Sequence, residues 1–281
     1  MSSVLVGVDG SENSKVALRW AAGCADAMGV PLRAVWAWMY PSDAVLSIGG
    51  VKLPEPRQAD ELIEAQLRAL LEEVLAEAGA RVKVQAARGP ATGALLRAAE
   101  DRPATIVVGS RGLGGFKGLL LGSVSRQLCE HAPCPVTIVR PSVPVDPAQI
   151  KTLLVGVDGS AHAARALSFA GHLAETVDAE LVVAYAAGPS EVDPVAGLEA
   201  LRDRVDQWCA PLRDRGLAYR LAVVAGDPRS ALLDVARDRS ADLVVVGSRG
   251  RGPIKKLLLG SVASTLAHHS QLPVTIVPLE R

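Results

Sequence analysis

The sequence predicts an α/β protein made of two tandem doubly wound domains, each a five-stranded parallel sheet with helices on both faces. Three observations support this fold class: an internal repeat, short aliphatic runs that alternate with helical segments, and an aliphatic composition. Of the 281 residues, 49% are hydrophobic and only 3% are aromatic, so the core has to consist mostly of Val, Leu, Ala and Ile. Such a composition is typical of parallel strands covered by helices.

The internal repeat divides the chain into two copies of one unit. The segment LVGVDGS at residues 5–11 returns at residues 154–160, which is 149 positions later. The segments VVGSRG, LLLGSV and PVTIV return after 138 positions, so copy one contains eleven extra residues. A proline-rich stretch separates the copies. We therefore expect copy one at residues 1–140, a linker at 141–150 and copy two at 151–281.

Strands and helices alternate along each copy. In copy one we expect strands at residues 3–8, 31–38, 81–87, 104–109 and 135–139, and helices at 12–28, 59–79, 91–101 and 122–132. Runs such as 105–108 and 243–246 are continuously aliphatic, which indicates strands buried on both faces and right-handed crossovers between them. The extra residues of copy one fall in the proline-rich stretch 39–58, which we expect to be a loop.

Charge and targeting features exclude several classes of function. Lys plus Arg and Asp plus Glu are equal at 30 each, so no global positive field favours nucleic acid or an anionic membrane. The sequence shows no export signal and no long apolar segment. The four cysteines have neither CxxC nor zinc spacing, which indicates reduced thiols. We therefore expect a cytoplasmic protein without nucleic-acid or membrane partners.

The motif that points to chemistry is Gly-x2-Gly-x9-Gly-Ser, which has the same spacing in both copies. Its members are Gly109, Gly112, Gly122 and Ser123 in copy one and Gly247, Gly250, Gly260 and Ser261 in copy two. A glycine directly after a strand lets a ribose or phosphate approach the backbone. The Gly-Ser pair opens a helix, where we expect the serine to be the N-cap and the free N–H groups to bind phosphate. Bulkier residues at Gly109 and Gly247 are expected to abolish binding while the fold stays intact.

Each first strand ends in an aspartate, Asp9 or Asp158, followed by Gly-Ser. A carboxylate at a strand's end can accept hydrogen bonds from ribose hydroxyls, and doubly wound sheets bind ligands where the strand order reverses. We therefore expect strands one and four to be neighbours, with Asp9 and Gly109 facing one ligand. The alternatives are that the aspartates only cap the following helices and that each glycine loop is a tight turn. The motif persists in two loops that otherwise differ, which favours a ligand site.

Basic residues occupy equivalent positions in both loops. Arg111 and Arg249 could contact phosphate or could be solvated, and Lys117 and Lys255 could add Coulombic attraction. Neither GxxxxGK[ST] nor a GxGxxG after the first strand is present. P-loop ATPases and dinucleotide-dependent dehydrogenases are therefore excluded.

These residues together resemble the universal stress protein family in its tandem, ATP-binding form. The resemblance rests on the glycine motif, on VGVDGS near the start and PVTIV near the end of each copy, and it covers nearly the whole chain. It implies the strand order 3-2-1-4-5 with ATP between strands one and four. It also implies that the last strands, residues 136–139 and 274–277, pair the copies as an intramolecular pseudo-dimer. It leaves open a homodimer of chains and an unidentified protein partner.

The resemblance further implies a set of nucleotide-binding residues, with no catalytic or metal-ligating side chain among them. In copy one these are Asp9, Ala37, Gly109, Gly112, Gly122, Ser123 and Val124. In copy two they are Asp158, Ala186, Gly247, Gly250, Gly260, Ser261 and Val262. Each aspartate and first glycine would contact ribose, and each alanine would lie where adenine meets strand two. The other residues would hold phosphates, which in turn would hold Mg²⁺.

The expected function is that of an ATP-binding stress-response or regulatory module with little or no turnover. No repeated Glu, His or Lys is placed to activate a water against the γ-phosphate. The alternatives are a slow ATPase or nucleotidyl hydrolase of the wider nucleotide alpha-hydrolase-like group, and a scaffold with a vestigial site. The extra loop of copy one lies near the expected adenine position, so unequal affinities of the two sites are expected.

Overall fold

The computed structural model describes residues 3–39, 55–76, 81–114, 120–141, 150–192, 198–252 and 258–279. The strands of copy one are β1 (Val4–Val8), β2 (Leu32–Trp38), β3 (Lys83–Arg88), β4 (Thr105–Gly109) and β5 (Val136–Val139). Its helices are α1 (Glu12–Met28), α2 (Pro56–Leu75), α3 (Ala91–Ala98) and α4 (Ser123–His131).

Copy two repeats this order. Its strands are β6 (Thr152–Gly156), β7 (Glu180–Ala187), β8 (Arg220–Ala225), β9 (Leu243–Gly247) and β10 (Val274–Val277). Its helices are α5 (Ala161–Val177), α6 (Glu199–Trp208), α7 (Ala210–Arg213), α8 (Pro228–Asp238) and α9 (Ser261–His269). A short 3-10 turn, Pro189–Glu191, follows β7.

Local capping chemistry explains where the helices begin. Ser11 is the N-cap of α1, and its side chain accepts a hydrogen bond from the Ser14 N–H at 3.2 Å. Helix α2 begins at Pro56, three residues before the expected start at 59 and inside the stretch 39–58 that we expected to be a loop. The reason is local, because Pro56 is preorganised for the first helical position and Gln58 Oε1 accepts from the Glu55 N–H at 3.2 Å. Residues 40–54 of the expected loop lie outside the described residues.

The ten strands form one continuous sheet in the order β3-β2-β1-β4-β5-β10-β9-β6-β7-β8. Each copy therefore has the order 3-2-1-4-5, which confirms the expected doubly wound topology, and its strands are parallel. The two copies join where β5 and β10 pair antiparallel, with Thr137 opposite Thr275. This pairing is the intramolecular pseudo-dimer that we expected through the last strands.

The core lies on both faces of this sheet. Helices α1, α2, α5 and α6 cover one face, and α3, α4, α8 and α9 cover the other. Every residue of the two runs 105–108 and 243–246 is buried, as predicted, and β5 and β10 are buried along their whole length as well. All four cysteines are buried and free. None of the helices in the described ranges is long and apolar enough to cross a membrane.

Within the described part of the chain, two sets of side chains make polar contacts at the junction of the copies. The buried hydroxyl of Thr137 lies 3.0 Å from Thr105 Oγ1 and 2.9 Å from Thr275 Oγ1, so a chain of three threonines crosses the β5–β10 pairing. The Arg140 guanidinium donates to the carbonyls of Ala267 and His268, at 2.6 and 2.7 Å, in the last turn of α9. Those carbonyls have no partner within the helix, so a cation from copy one satisfies them.

Candidate functional site

The first-strand aspartates hold the glycine loop in both copies. Asp9 Oδ1 accepts from the Ser11 N–H at 3.0 Å, and Asp9 Oδ2 accepts from the Leu113 N–H at 2.8 Å. Asp158 accepts at 2.9 Å from the N–H groups of both Ser160 and Arg251. The N-caps of α1 and α5 are serines, so the alternative that the aspartates are simple helix caps is wrong. Each aspartate instead ties the end of the first strand to the loop after the fourth.

Two of the motif glycines are required by close approach within the protein. A Cβ at Gly112 would overlap Asp9 Oδ2, and a Cβ at Gly250 would overlap Asp158 Oδ2. These two glycines allow the aspartate to reach the loop, which is the arrangement that positions its carboxylate at the sheet's carboxyl edge.

The first motif glycine packs against a helix. A Cβ at Gly109 would lie 2.8 Å from the backbone carbon of Asn13 in α1, and a Cβ at Gly247 would lie 2.7 Å from that of His162 in α5. A helix backbone cannot yield as a flexible side chain can. This packing argues against the expectation that bulkier residues here would leave the fold intact, because these glycines permit close contact between helix and sheet.

The third motif glycine directly precedes the helix whose start we expected to bind phosphate. Gly122 and Gly260 are the N-caps of α4 and α9, so the expectation that Ser123 and Ser261 are the caps is wrong by one residue. Each glycine donates its N–H to a loop carbonyl, of Ser110 or Ser248, at 2.7 Å. The serine is consequently the first helical residue, and the next residue is Val124 or Val262. The N–H groups of a helix's first turn have no intrahelical acceptor, so this end of each helix can bind an anion.

A cavity of 790 Å³ opens at the carboxyl ends of β6 and β9 in copy two. We call it the second cavity. Every candidate residue of copy two lines it: Asp158, Ala186, Gly247, Gly250, Gly260, Ser261 and Val262. Its volume is in the range of small-molecule sites, and it lies at the switch point of a doubly wound sheet. The structure thus brings the seven residues together around one space.

Copy one differs around the equivalent residues. Of the seven candidate residues of copy one, Ala37, Ser123 and Val124 line a cavity of 770 Å³, together with residues 89–93 and with residues of α3 and α4. The other four do not line it: Asp9, Gly109, Gly112 and Gly122. The ring of Trp36 covers Gly10, since a Cβ there would lie 3.2 Å from Trp36 Cη2. Lys117 and Lys255, like most of the linker at 141–150, lie outside the described residues.

Several residues around the second cavity were missed by our reasoning from the sequence. Tyr185 and Glu191 line it, with the Tyr185 hydroxyl donating to Glu191 Oε1 at 2.6 Å. Arg251 also lines it, and its guanidinium carbon lies 5.0 Å from the centroid of the Trp208 ring. A position-by-position comparison of the two copies would have singled out Arg251, because it stands where copy one has Leu113.

His162 and Arg249 form a further pair in the lining of the second cavity. Arg249 Nε donates to His162 Nε2 at 3.2 Å. Burial, and then the positive charge of Arg249, lower the pKa of His162, which favours the neutral ring that accepts this bond. Arg249 is thus partly buried and held, whereas Arg111 of copy one is exposed.

Carboxylates near the second cavity are already engaged by the protein. The pKa of Glu191 is lowered, chiefly by the hydrogen bond from Tyr185, with a further contribution from the Gly188 N–H. Nowhere in the described residues do three His, Cys, Asp or Glu side chains form a group that could hold a metal ion.

The fold and the second cavity define a duplicated doubly wound α/β protein with a ligand-sized space at its switch point. Residues 1–140 and 149–278 each match the model of the universal stress protein family, so the chain belongs to that family. It is 33% identical over 287 residues to universal stress protein Rv2623 of Mycobacterium tuberculosis (strain ATCC 25618 / H37Rv), covering 97% of this chain and 95% of that one.

Other relatives also match across both copies. Universal stress protein Mb2028c of Mycobacterium bovis is 31% identical over 294 residues, with 97% of this chain and 96% of that one covered. The crystal structure of a universal stress protein from Archaeoglobus fulgidus DSM 4304 superimposes with a TM-score of 0.72 at 23% identity, covering 98% of each chain. That likeness shows a shared two-copy fold.

Proposed function

We propose that this universal stress protein binds ATP in both copies and acts as a nucleotide-dependent stress-response or regulatory module in the cytoplasm. The observation that carries the proposal is the second cavity, which gathers all seven candidate residues of copy two. Copy one retains the same aspartate tether and helix start, so its site shares the framework.

The lining of the second cavity provides a separate environment for each part of the nucleotide. Ala186, Pro228 and Leu232 offer an apolar surface for adenine. Asp158 lies at the strand end, where its carboxylate can accept from ribose hydroxyls. The first-turn N–H groups of α9, at Ser261 and Val262, face the phosphates with the positive end of the helix dipole. Mg²⁺ would be held mainly by the phosphates and would neutralise part of their charge.

The same lining favours binding over turnover. Asp158 accepts two backbone hydrogen bonds, Glu191 accepts from Tyr185 and Gly188, and neutral His162 accepts from Arg249. Each of these candidate bases is engaged with the protein, and efficient phosphoryl transfer needs a group free to position the attacking water. We therefore propose slow hydrolysis at most, with the slow ATPase or nucleotidyl hydrolase as the alternative.

The proposal is tested by counting nucleotides on the purified full chain. Ser123 and Ser261 are exposed first residues of α4 and α9, so Ser123→Glu and Ser261→Glu add a charge that repels phosphate without burying it. We expect two ATP per wild-type chain, one in each single variant and none in the double variant, by isothermal titration with MgATP. Ala164→Glu adds the same charge at an exposed position of α5 and should keep both sites.

Two results would overturn parts of this proposal. If the wild type binds no nucleotide at millimolar MgATP and shows no thermal shift, the site is vestigial and the scaffold alternative holds. Single-turnover hydrolysis near 1 per second, which is in the ordinary enzyme range of about 1 to 1000 per second, would instead establish the hydrolase.

A further inference from the structure

We propose that His162 and Arg249 make the second cavity selective for nucleotides that carry a di- or triphosphate over those with one phosphate, while copy one lacks this discrimination. The inference rests on the proposed nucleotide binding and adds to it a charge-reading residue, Arg249, and a positioning residue, His162. Neither belongs to the glycine motif.

The position of Arg249 follows from the loop and the two helix starts around it. Its Cα would lie 3.1 Å from a Cβ on Gly260, the N-cap of α9, so its backbone abuts the helix start that faces the phosphates. His162 lies in the first turn of α5, and its Nε2 accepts the Arg249 Nε–H at 3.2 Å. The guanidinium is therefore fixed between two helix N-termini in the lining of the cavity.

Copy one has the arginine without its partner. Asn13 stands where copy two has His162, and its Oδ1 accepts from the buried Ser110 hydroxyl at 3.3 Å. Arg111, the counterpart of Arg249, is exposed, and its positive charge reaches Arg140, whose pKa is lowered by burial and then by Arg111. The loop arginine is thus exposed in copy one, where its charge acts on Arg140, whereas in copy two it is partly buried and lines the cavity.

A second substitution adds positive charge on the same side of copy two. Arg251 lines the second cavity where copy one has Leu113, which is 73% exposed. The guanidinium carbon of Arg251 lies over the Trp208 ring, 5.0 Å from its centroid, and this cation–π contact restrains the side chain at the cavity. The lining of the second cavity therefore includes two arginines, Arg249 and Arg251.

The number of phosphates decides how much of this charge a ligand can use. The N–H groups at the start of α9 can bind one phosphate, and those at the start of α4 can do the same in copy one. A second and third phosphate extend beyond the helix start and need donors from side chains. Arginine presents a planar fork that matches phosphate oxygens, and one such charge-assisted bond corresponds to an affinity gain of about tenfold or more.

The neutral state of His162 is what makes it a positioning residue. Only an unprotonated Nε2 can accept the Arg249 bond, and the ring also sits in the first turn of a helix, where a cation is disfavoured. The charged groups that act on it are Arg249, from the loop after β9, and Asp158, from the end of β6. Burial and Arg249 lower the pKa of His162 and outweigh Asp158, which raises it.

The test measures ATP, ADP and AMP binding to the full chain in the Ser123→Glu background, which leaves the second cavity as the single site. We expect ATP to bind at least about tenfold more tightly than AMP. His162→Asn, the residue of copy one, should reduce that ratio about tenfold with AMP affinity unchanged. His162→Gln keeps an acceptor of similar reach and should restore the ratio, while Arg249→Lys should restore it only in part.

The outcomes separate this inference from the proposed function. Absence of binding of all three nucleotides to the wild type would remove the proposed function and this inference with it. Binding with an ATP to AMP ratio that is unchanged by His162→Asn would overturn only the selectivity. An equal loss of ATP and AMP affinity in His162→Asn, not rescued by His162→Gln, would also overturn it, because it would mean that His162 only supports the fold.

Discussion

Arg140→Met tests whether the junction of the two copies is held by one arginine. Its two part-buried bonds to the carbonyls of Ala267 and His268 measure 2.6 and 2.7 Å. A hydrogen bond from a charged donor contributes about 1.5 to 3 kcal/mol, and the lower value suits a half-exposed side chain. The exposed bond to Leu120 contributes little. We therefore expect the free energy of unfolding to fall by about 3 kcal/mol.

The corresponding change in melting temperature follows from the chain's size. An unfolding entropy of about 2.1 cal/mol/K per residue gives about 0.6 kcal/mol/K for 281 residues, so Tm should fall by about 5 °C. Urea denaturation followed by circular dichroism, together with scanning calorimetry, measures both quantities. The matched control is Arg126→Met, which removes an exposed pair with Glu130 within α4 and should cost about 0.3 to 0.5 kcal/mol. A loss in Arg140→Met no larger than in this control would refute the reasoning.

Two further perturbations probe the site framework. Gly247→Val should lower the free energy of unfolding by about 3 kcal/mol or more, because the new side chain meets the α5 backbone. Urea denaturation measures this loss, and a variant that is stable but deficient in ATP binding would contradict the prediction. The pKa of His162 is lowered in the folded chain, so below the unfolded value of about 6.5 the unfolded chain binds the extra proton and stability falls with the pH. His162→Asn should lose this acid-dependent component in urea titrations from pH 7.5 to about 5, and parallel wild-type and variant curves would disprove the assignment.

The topology could be predicted from the sequence because repetition and strand pattern are properties of the chain itself. Two aliphatic runs that end in Val-Asp-Gly-Ser and in Val-Gly-Ser-Arg fix which strand ends carry the loops, and the switch-point rule then places them side by side. The structure shows β1 next to β4 and β6 next to β9.

The physical reason for each glycine could not be predicted, because it depends on which atom faces the absent Cβ. At Gly109 that neighbour is the backbone of Asn13, nearly one hundred positions earlier in the chain. The N-cap was misassigned for a similar reason. Serine is the better cap by its side chain, yet Gly122 takes the position because its N–H bonds to the Ser110 carbonyl and sets the chain's entry angle.

The contact between His162 and Arg249 also could not be predicted from the sequence. The two residues are 87 positions apart and have no spacing that marks a motif. Only the packing of α5 against β9 through Gly247 brings them together.

The antiparallel pairing of β5 with β10 also changes how the protein responds to dilution. Two separate chains that met through such a strand would come apart as their concentration fell. Here the partners are joined by the chain between Arg140 and Lys151, so each strand sees the other at an effective concentration on the order of millimolar, whatever the amount of protein in the cell. The arrangement of the two cavities about that junction is therefore a property of every molecule, including the first one synthesised.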